Sequence, residues 1–324
     1  MRCKGTTFFY FVQIKRKKNE NLQSFLQIHI FFSTFVPAIQ MIDSMKLGLV
    51  LEGGGMRGLY TAGILDVMMD HHFMPDVVCG TSAGVTFGVN LLSQQRGRVL
   101  RYNCRYVGDR RYISFYSWLT TGNMINRDFA YDLLPRELDP FDEKTFEESK
   151  AEFYATITNM RTGKAEYVRI TDTWKQMDVI RASASLPIVC QPVEWQGEKY
   201  MDGGIADNIP LDKCFELGCD KVVVVLTRPQ GYVRNENMAS ICRLFYLRYK
   251  AFLQTIEQRN DTYNARIQQI NQLEKEGKVF VIRPSKSIPV GRLEKDTSRL
   301  KALHQLGMED ATRLWNDLMN YIAE

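Results

Sequence analysis

The sequence predicts an α/β protein, three layers deep, with helices flanking a mostly parallel central sheet. Two observations carry that reading. The runs KLGLVLE (46–52) and KVVVVL (221–226) are continuously apolar, as strands buried on both faces must be. Between them, strand-like and helix-like segments alternate, which is the pattern of parallel strands joined by crossover helices. The chain has 324 residues, 45% apolar and 24% charged, which is ordinary for a globular protein and excludes a disordered, collagenous or disulfide-stapled one.

Taken in order, the strand at 46–52 ends in Gly53-Gly54-Gly55, and 56–70 reads as a helix apolar on most faces. A short strand at 76–79 runs into the turn GTSAG (80–84), and 85–95 reads as helix. The stretch 96–149 is less regular, Arg-rich and aromatic, with an acidic helix start at FDEKTFEES. Strands follow at 152–159 and 166–170, joined by a turn at Arg161-Thr162-Gly163. A third, ending at 199–201, delivers Asp202-Gly203-Gly204. Pro210 suits the first turn of a helix that Gly218 closes. Beyond about Gly231 the composition shifts to helices at 238–254 and 260–276, a strand at 279–284 and a last helix at 299–323. The domains expected are therefore an extension outside the fold at 1–44, the α/β domain at 45–231 and a mainly helical region at 232–324.

The net charge of +5 is local. Residues 1–40 hold six cations and one acid, so 41–324 balance, 36 basic against 36 acidic. A neutral body argues against a nucleic-acid partner. The apolar stretches within 1–40 are too short or too polar to span a bilayer and lack a small-x-small cleavage site. They read as an upstream extension, ahead of an anchor or leader. Seven scattered cysteines with no C-x-x-C pair read as reduced, buried thiols.

Three motifs carry chemistry. GTSAG fits G-x-S-x-G: Ser82 on a sharp strand-to-helix turn that admits only small neighbours, here Gly80, Thr81, Ala83 and Gly84. The following helix aims its N-terminal amides at the same place. GGGMRG (Gly53, Gly54, Gly55, Met56, Arg57, Gly58) admits two readings. One is a dinucleotide fingerprint, for which the acid due at the end of the second strand is missing. The other is an oxyanion hole of bare amides. DGG places Asp202 before Gly203 and Gly204 in a tight turn.

Histidine decides by subtraction. His29 lies in the extension, His71 and His72 end a helix, and His304 sits in an amphipathic helix, so none suits a Ser-His-Asp triad. Asp202 is then the available base for Ser82. Asp139, Asp142, Glu143, Glu147 and Glu148 read as a solvated helix start rather than a calcium site, and neither metal nor cofactor is expected.

GGGMRG, GTSAG and DGG, in that order and spacing, resemble the three blocks of the patatin-like phospholipases, and RASASLPIVCQPV (181–193) resembles the family's helical stretch between the catalytic blocks. The resemblance covers roughly 46–227, and the C-terminal ninety residues resemble the appended region of some bacterial members. DGG stands where many members have DGA, which leaves the aspartate undisturbed. The resemblance implies a lipid acyl hydrolase acting on lipid or acyl esters, with Ser82 as nucleophile and Asp202 as general base. It also implies an oxyanion hole from the Gly53–Gly55 amides, with Arg57 steadying that loop. The alternative is a nucleotide- or anion-binding, or non-catalytic interaction, module built on GGGMRG. The segment ICRLFYLRYKAFL (241–253) reads as an amphipathic helix packed on the domain, in preference to an interfacial one. Membrane contact is then at most transient, and the expected location is the cytoplasm or the membrane periphery.

Overall fold

The computed structural model describes residues 45–324; the extension, anchor or leader expected at 1–44 lies outside them. Eight strands form one sheet: β1 (Leu47–Leu51), β2 (Val77–Thr81), β3 (Glu152–Asn159), β4 (Ala165–Ile170), β5 (Val193–Trp195), β6 (Glu198–Asp202), β7 (Lys221–Val225) and β8 (Val279–Ile282). Five run parallel in the order β3-β2-β1-β7-β8, while β4, β6 and β5 join antiparallel on the β3 side. The continuous apolar runs have the reason the sequence suggests. Leu47, Leu49 and Leu51 of β1 and Val223 and Val225 of β7 enter the core on one face of the sheet. Val50, Val222 and Val224 enter the core on the other, so both sets of alternate side chains are buried.

Helices α1 (Leu59–Asp70), α2 (Ala83–Leu92) and the C-terminal α10 (Thr297–Ala323) supply the first core. Helix α7 (Leu211–Glu216) and the long α9 (Lys250–Lys275) supply the second, through residues such as Leu211, Tyr263 and Ile270. The C-terminal residues therefore clothe both faces, and their strand β8, expected at 279–284, extends the same sheet beside β7.

The stretch 96–149 is more helical than its sequence suggests. It contains α3 (Arg98–Tyr106), α4 (Phe115–Thr121), a π-helical stretch (Phe129–Leu138) around Pro135, and α5 (Glu143–Glu148). The helix within 181–193 stops early: α6 (Met177–Ser183) ends four residues before Pro187, which disfavours helical geometry just ahead of it. The two helices expected at 238–254 and 260–276 are instead α8 (Ala239–Tyr246) and α9, parted at 247–249. The packed amphipathic helix expected at 241–253 is also corrected. On α8 Cys242 and Tyr246 are buried and Ala239 packs beside them, whereas Leu244 and Phe245 are exposed.

Asp139 is buried, not solvated, and accepts from Arg101 Nε and Nη2 at 2.7 and 2.8 Å while lying 3.3 Å from Arg98 Nε. Arg98, itself buried, also donates to the Asp139 carbonyl and to Asn90 Oδ1. Removing one partner of such a pair leaves a desolvated charge uncompensated. Asp139→Ala should therefore destabilise the protein by about 3 kcal/mol or more. Asp142→Ala, which removes only the exposed cap accepting from the Thr145 amide and hydroxyl, should cost about 1 kcal/mol. Thermal midpoints check the order; equal midpoints would contradict it.

Candidate active site

Strand β3 separates the two motifs that the sequence singles out, and its register sets them level. Thr81, the last residue of β2, pairs with Thr156, and Asp202, the last of β6, pairs with Ile157. Ser82 follows Thr81 and so stands across β3 from Asp202. With strands about 4.8 Å apart, two side chains leaning inward over β3 can meet. They do: Ser82 Oγ donates to Asp202 Oδ2 at 2.7 Å.

Ser82 has φ +55° and ψ −117°, a conformation that L-residues rarely adopt and that turns the chain abruptly from β2 into α2. Surroundings hold it there. The Ser82 amide donates to Ser183 Oγ at 2.9 Å, and Ser183 Oγ donates to the Thr156 carbonyl at 2.7 Å. Gly80 and Thr81 close β2, while Ala83 and Gly84 open α2. Gly84 lies so near β1 that a side chain there would meet the Leu51 carbonyl.

Asp202 is buried, with 1% of its surface exposed. Its Oδ1 accepts from the Gly204 amide at 2.8 Å as Gly203 and Gly204 open a single 3₁₀ turn (Gly203–Ile205). Burial pushes its carboxyl above the ordinary aspartate range, and the bond from Ser82, the Arg259 charge and the Gly204 amide oppose that rise. Arg259 is buried alongside, its Nε donating to the Gly204 carbonyl at 2.7 Å.

The glycine turn is anchored from three directions. Gly53 donates to the Asn208 carbonyl, and Asn208 Nδ2 donates back to the Gly53 carbonyl and to Glu52 Oε1, each at 3.1 Å. The buried Glu52 carboxylate also accepts from Tyr263 OH at 2.8 Å and Thr227 Oγ1 at 3.0 Å. Met56 donates to the Arg292 carbonyl at 3.0 Å, and Arg57 donates to the Gly54 carbonyl. Among the described residues, this leaves the Gly54 and Gly55 amides without an acceptor. Gly55 takes φ +57° against the Arg292 backbone, a place only glycine occupies without strain. Gly58 faces Ala83 and Phe87 of α2 across a contact too close for a side chain. The Arg57 side chain is buried and its Nε has no partner among the described residues. Burial, then Arg228 and Arg292, pushes its guanidinium down to about 10. A hydrogen bond from the Arg57 side chain to the loop, the simplest way to steady it, is therefore not seen at Nε.

Ser82, Gly55 and Met56 open on a cavity of about 140 Å³. Its walls are mostly apolar, among them Phe87, Tyr112, Ile113, Leu134, Ile180 and Leu186. Of the histidines, His304 is committed to Asp66, Nε2 to Oδ2 at 2.9 Å between two buried side chains. His71 stacks on Trp315 with centroids 4.0 Å apart, and His72 is exposed. Glu143 and Glu147 do gather with Asp172, oxygens within 4.8 Å of one another, but Glu143 already accepts from Thr173.

Sequence reasoning missed Glu52, Ser183, Asn208, Arg259 and Arg292. Only two left a signal: an acid closing a buried strand (Glu52) and an Asn-Ile-Pro step just past DGG (Asn208).

Comparison with known proteins bears on these blocks. The chain is 30% identical over 190 residues to the uncharacterized protein YjjU of Escherichia coli, covering 57% of this chain and 52% of that one. It is 27% identical over 222 residues to lysophospholipase NTE1 of Candida glabrata, covering 65% of this chain and 12% of the relative. The chain thus spans about half the length of the first relative and about an eighth of the second. The solved structure of VipD from Legionella pneumophila superposes with TM-score 0.41 at 14% identity, over 84% of this chain and 67% of that one. A family model for a domain of unknown function (DUF6363) matches residues 249–323, the α9–β8–α10 segment. The patatin-like phospholipase model matches residues 49–215, from β1 through the glycine turn, Ser82 and Asp202, and the chain belongs to that family.

Proposed function

We propose that the protein is a serine lipid acyl hydrolase, a phospholipase or esterase that works with a Ser82–Asp202 dyad and no metal or cofactor. The observation that carries the reading is the 2.7 Å bond to a buried carboxylate from Ser82 Oγ, whose residue lines an apolar cavity. Asp202 takes the hydroxyl proton as Ser82 Oγ attacks the ester carbonyl. The oxyanion forms against the two uncommitted amides, Gly54 and Gly55, which are held in place before the reaction begins. Collapse expels the alcohol, which leaves with the proton from Asp202, and the acyl group stays on Ser82. Water then attacks the acyl-enzyme, giving a proton to Asp202, and collapse breaks the bond to Ser82 Oγ, which takes that proton back from Asp202 as the fatty acid departs. Free aspartate, with a pKa of about 3.9, is a weak base for this work. Burial of Asp202 raises its basicity, and the short bond places it on the proton it must take.

Apolar walls suit an acyl chain, each buried methylene contributing about 0.8 kcal/mol. Membership of a phospholipase family and the likeness to lysophospholipases support a lipid ester as substrate. The dinucleotide reading finds less support, because β2 delivers Ser82 where a ribose-binding acid would stand. Among the described residues no helix is long and apolar enough to cross a membrane.

Ser82→Ala should abolish hydrolysis of a short-chain ester while leaving the thermal midpoint in place, since it removes one oxygen. Asp202→Asn should be nearly as damaging. His304→Ala, once corrected for any loss of folded protein, should retain activity. Residual turnover near wild type in Ser82→Ala would sink the nucleophile assignment, and a specific loss in folded His304→Ala would revive a triad.

The pH dependence has a defined sign. The working form of Asp202 is ionised, so kcat/KM should fall on acidification, with its midpoint displaced above about 3.9. A midpoint at or below that value would contradict a buried base.

Gly55→Ala should lower turnover by ~10²-fold or more if its amide binds the oxyanion. Unchanged turnover in both Gly54→Ala and Gly55→Ala would mean the turn serves only to begin a helix.

A further inference from the structure

Seven of the large apolar residues left exposed among the described residues cluster on two short helices and the residue that follows the second. Helix α4 presents Phe115, Tyr116 and Leu119. Helix α8 and the residue after it present Ile241, Leu244, Phe245 and Leu247, with Leu244 78% and Leu247 70% exposed. The two helices border one depression of about 540 Å³, to which Trp118, Leu119, Phe245 and Tyr246 contribute. They are tied at a single residue. Trp118 Nε1 donates to the Ile188 carbonyl, and the Ile188 amide donates to Tyr246 OH, both at 3.0 Å. Ile188 takes φ +74°, which a β-branched side chain resists, so these two bonds hold it in a strained place. Leu186, two residues earlier, lines the cavity at Ser82. The exposed apolar surface therefore runs up to the wall of the proposed acyl pocket.

Charge on this surface has one sign in sequence. Residues 110–127 carry Arg110, Arg111 and Arg127 and no acid; residues 238–256 carry Arg243, Arg248 and Lys250 and no acid. The acids that reach them come from outside: Asp109 bonds Arg111 and Glu257 bonds Arg243, while Lys199 in the depression pairs with Glu194. Arg248 and Lys250 are exposed, and Arg110 lies over the Tyr116 ring at 4.8 Å. Clustered apolar side chains rimmed by cations suit a surface that is apolar within and anionic at its face.

We infer that α4 and α8 together form a docking surface for an anionic lipid bilayer, placing the mouth of the Ser82 cavity against the membrane. The inference rests on the lipid-hydrolase reading for its purpose, but docking itself needs no turnover, and the test separates them. Hydrogen–deuterium exchange would be measured on full-length Ser82→Ala protein with phosphatidylglycerol vesicles and with phosphatidylcholine vesicles. Exchange at 115–121 and 239–247 should slow on phosphatidylglycerol and much less on phosphatidylcholine. Unchanged exchange in both segments would overturn the inference. So would slowing that appears without vesicles as protein concentration rises, because the patch would then join two copies of the chain. In a kinetic arm, the combined variant Leu244→Glu, Phe245→Glu, Leu247→Glu should hydrolyse vesicle lipid at least 10-fold more slowly than wild type. Its turnover of a soluble short-chain ester should stay within twofold. Equal vesicle hydrolysis in the two proteins would contradict the docking role. A wild type inactive on both substrates counts against the dyad alone, and the exchange arm still decides the surface.

Discussion

The register of β3 is the constraint on which the site depends. Pairing parallel to β2 through Thr156 and antiparallel to β6 through Ile157, β3 sets two chain reversals 120 residues apart level with each other. A slip by one residue would turn every side chain to the other face and part Ser82 from Asp202. β3 is fixed because both its faces are claimed. Phe153, Ala155 and Ile157 are fully buried, and Thr158 Oγ1 bonds the Asp202 carbonyl at 2.8 Å. The strained Ser82 turn borrows its stability from the same strand, through Ser183 and the Thr156 carbonyl.

Glu52 does for the glycine turn what β3 does for the Ser82–Asp202 pair. A buried carboxylate is costly unless its oxygens are satisfied. Here four donors meet it, from Asn208, Tyr263 and the amide and hydroxyl of Thr227. These come from the loop after Asp202, from α9 and from the end of β7, so the turn at 53–55 is registered against three separate parts of the fold. Arg292 adds a fourth, its carbonyl on Met56 and its guanidinium on Glu236. The C-terminal residues are thus part of the wall around Ser82, although the patatin-like match ends at 215.

Much of this was legible in the sequence, and for physical reasons. Buried parallel strands betray themselves as uninterrupted apolar runs, and the tight turns at 53–58, 80–84 and 202–204 demand glycine, which is rare enough to stand out. The four histidines could be discounted from their local patterns, and His304 indeed spends its ring on Asp66. What stayed hidden depends on neighbours distant in sequence. Nothing local distinguishes Ser183 from the serines around it, or tells that Asp139 would be buried between two arginines while Asp142 stays outside. Helix α8 misled for a related reason. Its apolar residues have helical spacing, but Ala239, Cys242 and Tyr246 fill the contact with the domain, leaving Leu244 and Phe245 on the outer face.

Covalent trapping decides whether Ser82 is a nucleophile activated by Asp202. The full-length protein would be treated with a fluorophosphonate probe, digested, and the adduct located by mass spectrometry. One adduct should form, on the peptide containing Ser82, and much more slowly when Asp202 is asparagine. An adduct on a different serine, or none on folded protein, would contradict it.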